Sequence, residues 1–190
     1  MHLSNGIWCW TLSPSKYVQE AVKNCEQALN DLGGPYKLPK HAPNPFHMGY
    51  TPELDVSTPL EPELASYYQS LIGVMHWMCE IGQIDLALEV SMMSSHNAYP
   101  WEGHFETVLH MMGYLKVTYN SRLAMDPNYP EIDEESFKPQ DWSQQYRDIK
   151  EAIPINDPAP RGKEVVLRMM VDSDHAGDTT DRRSRTGYMI

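Results

Sequence analysis

Proline placement constrains this chain more than any other feature. Prolines stand at 35, 39, 43, 45, 52 and 59, and again at 127, 130, 139, 154, 158 and 160. Each locks φ and removes a backbone donor, so neither span can hold a regular helix or a central strand. Regular structure is confined to the segments before, between and after them. Pro35 to Pro59 is expected to be a long surface connection wrapped around the body, and it is longer than ordinary loops. Asp126 to Lys163 is acidic as well as proline-rich and is expected to be a linker, with Trp142, Tyr146 and Ile149 anchoring one helical turn.

Between these spans the apolar period is helical. Ile7 to Leu12 is a short apolar run, read as a strand. Ser13 as N-cap and Pro14 at the first helical position predict a helix over Pro14–Leu32, with Val18, Val22, Cys25, Leu29 and Leu32 at helical spacing and Gly33-Gly34-Pro35 as its stop. Thr58-Pro59-Leu60-Glu61 has the form of a capping box. The helix it opens would bury Leu64, Tyr67, Tyr68, Leu71, Met75 and Met78 and be interrupted at Gly82. A further segment, about Ile84 to Ser94, would turn Ile84, Leu88, Ser91 and Met92 inward. After a turn at His96–Pro100, a last helix over about Glu102 to Tyr119 would bury Phe105, Val108, Leu109, Met112, Leu115 and Tyr119. These helices are expected to pack as one layer.

Charge narrows the partners. The net charge is −11, and residues 61–120 hold 1 Lys/Arg against 7 Asp/Glu. Such a segment does not attract phosphate backbones. Only residues 161–190 lean basic, with 6 against 5. Cys9, Cys25 and Cys79 form no C-x-x-C pair, so neither a zinc site nor a disulfide framework is supported and a reducing compartment is expected. No stretch has the length of a membrane span and no signal peptide is recognisable, so no membrane partner is expected.

Val171 to Ile190 carries the densest chemistry. An apolar run from Val165 ends at Asp172 and Asp174, a Gly-Asp turn and Arg182-Arg183-Ser184-Arg185 follow, and Thr186-Gly187-Tyr188 leads a second apolar run. This predicts strand, turn, strand. Carboxylates two apart project from one face of a strand and could hold Mg²⁺. Local pattern favours a plainer account, in which Asp172 caps the strand and Asp174 starts the turn. An EF-hand loop fails because its twelfth position would be Arg183. Arg182, Arg183 and Arg185 could contact phosphates, against the alternative of a solvated turn. His96, His104 and His110 lack metal-ligand spacing and are read as core or surface histidines. Nucleotide-loop and nucleophile-elbow motifs do not occur.

Taken in order, four blocks resemble a copia-type retrotransposon polyprotein, from the end of its reverse transcriptase into its RNase H domain. W-T-L-S-P-S-K-Y-V-Q-E-A-V is similar to the stretch after the polymerase palm. Y-Y-Q-S-L-I-G-V-M-H-W-M, Tyr67–Met78, resembles the family's Y-R-S-L-I-G-S-L-x-Y-L. H-F-E-T-V-L-H-M-M-G-Y-L-K, His104–Lys116, resembles H-x-x-A-x-x-x-L-x-Y-L-K. V-D-S-D-H-A-G-D with R-R-S-R-T-G-Y resembles S-D-A-D-W-A-G-D with R-R-S-T-S-G-Y. Gly82-Gln83-Ile84-Asp85-Leu86 departs from the family's T-R-P-D-I, and His175 stands where Trp is usual.

The resemblance implies an α+β chain: a helical thumb or connection-like region over 1–120, an acidic linker over 121–163, and a truncated RNase H-like β-hairpin over 164–190. It implies a parent that copies RNA into DNA and cleaves RNA in RNA–DNA hybrids with Mg²⁺, in a cytoplasmic particle or the nucleus. Asp172 then matches the first metal-binding carboxylate of the RNase H site. The polymerase aspartates are expected upstream of Met1 and the other RNase H carboxylates beyond Ile190, so a fragment would support primer–template, alongside the rest of the polyprotein, without chemistry. Two other readings stand beside this one: a non-catalytic module whose Tyr67–Tyr119 layer holds a protein partner, and a decayed gene remnant.

Overall fold

The computed structural model describes residues 6, 8–125, 141, 143–147, 155–158, 169–173, 176–178, 180–184 and 186–189. The fold is mixed α+β, and it divides into two compact units: residues 1–127 with 178–182, and residues 128–177 with 183–190. Among the described residues no helix is long and apolar enough to cross a membrane.

The first unit begins with β1, Trp10–Leu12, followed by α1, Ser15–Leu32. Pro14 rather than Ser13 takes the cap position, with no side-chain cap. The Pro14 carbonyl accepts from the Val18 amide, while the Ser13 hydroxyl is drawn away to the Ser121 carbonyl at 2.9 Å. Gly33 closes α1 in the left-handed conformation that glycine adopts without a Cβ penalty. The second helix, α2, runs Pro62–Glu80 with Pro62 at its start, so the expected capping box at Thr58 does not form. Thr58 instead gives its carbonyl to the Glu102 amide. Tyr68, Leu71, Ile72, Met75 and Met78 form the buried stripe of α2. The Tyr68 hydroxyl is satisfied by the Met93 carbonyl at 2.7 Å.

The third helix, α3, covers Ala87–Ser94 after a 3₁₀ turn at Ile84–Leu86. Its inward face differs from the expectation. Leu86, Val90 and Met93 are buried, whereas Ile84 is 51% and Leu88 61% exposed. The cause is a phase reset: Gly82 takes φ +117° and the tighter 3₁₀ turn shifts the angle at which each later side chain leaves the axis. α4, Glu102–Thr118, buries every residue from Thr107 to Gly113 and so has no solvent face in its middle. Tyr119, expected inward, is partly exposed because the helix has already ended. β2, Leu123–Met125, was not expected. It pairs antiparallel with β1, Trp10 opposite Met125.

Pro35 to Pro59 does wrap the body, as a strap laid along α4. From Pro39 onward it runs opposite to the helix. A Cβ on Gly113 would sit 2.5 Å from Pro39, and one on Gly103 would run into the Asp55 carboxylate. Between these points Ala42 and Pro52 are buried, and Tyr36 packs edge-on against Phe105 at 5.0 Å. The strap's last residues also supply the cap that α4 lacks locally. The Gly103 amide donates to the Ser57 hydroxyl at 2.8 Å and the Glu102 amide to the Thr58 carbonyl at 2.8 Å. Two of the helix's orphan donors are thereby satisfied from outside its own sequence.

In the second unit, α5 is a single turn at Ser143–Tyr146, at the place expected for one, while Trp142 and Ile149 lie outside the described residues. β3, Met170–Ser173, and β4, Thr186–Met189, form the expected antiparallel hairpin, with Asp172 opposite Gly187. Most of the acidic linker and Val165 to Arg168 lie outside the described residues.

The strap's seat is testable with two glycines. Gly113→Ala is expected to cost about 1–3 kcal/mol, the range for overpacking. Gly73→Ala, which meets nothing within 4 Å in α2, is expected to hold or raise stability, because alanine favours helix. Urea midpoints that agree for the two variants would contradict this packing.

Candidate functional site

The residues expected to carry chemistry lie on and around the β3–β4 hairpin. Asp172, opposite Gly187, is exposed, as are Val171 and Ser173 on either side of it. Asp174, His175 and Arg185 lie outside the described residues. Asp178, which belongs to the first unit, builds a local turn. Its carboxylate accepts from the amides of Thr180 at 2.8 Å and Asp181 at 3.0 Å, and its carbonyl accepts from the Arg182 amide at 3.1 Å. This is the local bonding that suits Asp to turns. Arg182 has φ +61°, and Arg182 and Arg183 are both exposed. Among the described residues no three His, Cys, Asp or Glu stand together in a way that could hold a metal ion. Mg²⁺ takes six oxygens and is usually held by one or two carboxylates with substrate phosphates.

A second chemical locus was invisible in the spacing of the histidines. His104 sits in the first turn of α4 and uses both ring nitrogens. Nδ1 accepts from the Trp101 amide at 3.1 Å, so Nε2 carries the proton and donates to the strap's Pro52 carbonyl at 2.9 Å. The His96 ring lies 4.1 Å away. Nearby, Asp55 accepts from the Ser57 amide and hydroxyl and from the Tyr50 hydroxyl. Burial alone would raise its carboxyl, but these bonds, with His104 close by, draw it below the usual carboxylate value.

His110 stands further along α4. Its Nε2 donates to the Asn44 carbonyl at 3.0 Å, and its Nδ1 is buried without a hydrogen-bond partner. The His47 ring stacks on it with centroids 3.8 Å apart. Burial, then the neighbouring His47, push its pKa below the ordinary histidine value, against the Asn44 bond. His47 and His110 line a cavity of about 280 Å³ with Lys37 and Glu106. Nothing in the sequence signals these contacts, because each joins residues far apart in the chain.

Two further features bear on chemistry. A groove of about 350 Å³ runs between α1 and α2 over Cys25 and Tyr67. Burial pushes the Cys25 thiol up, and takes the Cys79 thiol up to about 11. Neither is a ready nucleophile near neutrality. The β1 strand, by contrast, presents aromatics to water. Cys9 is buried while Trp8 is 71% and Trp10 82% exposed, so the two rings share one face. Arg122 is exposed and follows Ser121, the residue whose carbonyl holds Ser13.

Comparison with family models, with curated proteins and with solved structures gives no match for this chain.

Proposed function

We propose that this chain is a non-catalytic supporting piece of a copia-type retrotransposon polyprotein, its first unit thumb- or connection-like and its hairpin RNase H-like, and that it holds nucleic acid rather than cutting it. One observation carries the binding part: Trp10 in β1 and Trp8, two residues before it, stand exposed while Cys9 between them is buried. Exposed rings two apart on a strand form a stacking platform for unpaired bases, which needs no sequence readout. The acidic remainder of the unit, 1 Lys/Arg against 7 Asp/Glu over residues 61–120, keeps such binding weak and favours a role within a larger assembly. The order of the four sequence blocks supports the family, and Asp172 fits a ligand of a site whose other members are not among the described residues.

A protein-binding role is the second reading, and a different surface favours it. Trp77 is 55% exposed, and Ile84 and Leu88 are exposed to a similar degree. Apolar groups on an acidic body suit a protein partner better than a phosphate backbone.

Fluorescence anisotropy with an RNA–DNA hybrid bearing a single-stranded overhang separates the two. Salt-sensitive binding is expected, weakened about 5- to 100-fold by Trp10→Ala, the equivalent of losing one stacked base. Asp172→Asn is expected to change neither that affinity nor the melting point beyond about 0.5 kcal/mol, as for an exposed surface residue. No binding at low salt would move the weight to the protein-partner reading. Mg²⁺-dependent cleavage lost in Asp172→Asn would overturn the non-catalytic assignment.

A further inference from the structure

The strap is fastened to α4 at two ends by different chemistry. At the end near the start of α4, Asp55, Ser57 and the Thr58 carbonyl cap the helix, and His104 bonds the Pro52 carbonyl. Both ring nitrogens of His104 are bonded there, Nδ1 to the Trp101 amide and Nε2 to the Pro52 carbonyl. At the other end the fastening is His110 to the Asn44 carbonyl, beneath the stacked ring of His47. The groups around His110 are few. His47 stacks on it from the strap, and Lys37 and Glu106, the latter one helical turn earlier on α4, line the same cavity. Lys37 and Glu106 oppose each other in charge. The ring in contact is the imidazole of His47, whose Coulombic effect opposes a proton on His110.

We infer that the strap is a pH-sensitive latch, in which protonation of His110 frees the Pro39–Gly49 end while the Pro52–Pro59 end stays fastened. Neutral His110 donates through Nε2 and keeps a lone pair on Nδ1. The incoming proton adds to Nδ1 and leaves a positive ring with a buried N–H that has no acceptor. A buried charge without a partner is expelled or neutralised. The simplest escape is for the strap to lift and admit water.

The sign follows from linkage. A histidine whose folded pKa lies below its unfolded value stabilises the fold above the unfolded pKa, and that contribution is lost as pH falls through the folded pKa. The transition therefore lies on the acid side of the ordinary histidine range. The Asp55 end has its own loss in a lower window, since a depressed carboxyl gives up its contribution only as pH falls through the carboxylate range.

Hydroxyl-radical footprinting reads side-chain exposure at each end. Leu38 and Phe46 report the His110 end, and Tyr50 and Pro52 report the capped end. Between about pH 7.5 and about pH 5, modification of Leu38 and Phe46 is expected to rise several-fold while Tyr50 and Pro52 hold. His110→Gln keeps an amide donor for the Asn44 carbonyl and cannot titrate, so it is expected to abolish the rise. His47→Phe keeps a ring over His110 and removes the repelling imidazole, so it is expected to reduce the rise. An even rise at both ends, no rise at all, or an unchanged rise in His110→Gln would overturn the latch. Should that variant fail to fold, an unchanged rise in His47→Phe overturns it alone.

Discussion

A helix whose middle has no solvent face must find packing partners in every direction, and α4 is such a helix. α1 and α2 pack against it, and on the remaining side the strap meets Gly103, His104, His110 and Gly113. The strap is the cover on that side. Its prolines suit it to the task, because an extended segment rich in proline has few amide donors to satisfy when it lies against an apolar surface. The polar groups that remain are met one by one: the Asn44 and Pro52 carbonyls by histidine N–H groups, the helix amides by Ser57 and Thr58. Gly103 and Gly113 lower the wall of α4 where the strap comes closest.

This arrangement separates stability from function. The core is methionine-rich, and the buried histidines of α4 are tied to the strap. Burial pushes the Cys25 and Cys79 thiols up, and the two buried α4 histidines are spent on strap carbonyls. What is left for partners is peripheral: the exposed Trp8 and Trp10 rings, the exposed apolar side of α3, and the exposed hairpin that carries Asp172.

Helix positions were legible in the sequence because their period is local. The Val18, Val22, Cys25 and Leu29 stripe and the Tyr68, Leu71, Met75 and Met78 stripe lie where spacing put them. The α3 face was not, because a single positive-φ glycine and a 3₁₀ turn reset its phase. The caps were misjudged for a related reason. Ser13 and Thr58 have the right residue types, but long-range partners, Ser121 and Glu102, claim them. The histidine contacts were illegible because their other halves are strap carbonyls, which carry no sequence signature. The hairpin was legible from its turn residues, whereas Asp174 and Arg185 lie outside the described residues, so that part of the motif adds nothing to the sequence reading.

The central claim is that the strap belongs to the same cooperative body as the helices at neutral and higher pH. Tryptic cleavage after Lys37 and Lys40, followed in increasing urea at about pH 8 alongside helical circular dichroism, tests this most directly, since cleavage of a transiently opened segment reports how often it opens. Cleavage that rises only with loss of helix is the predicted result. Rapid cleavage at these two sites without urea, while the helices remain intact, would contradict it.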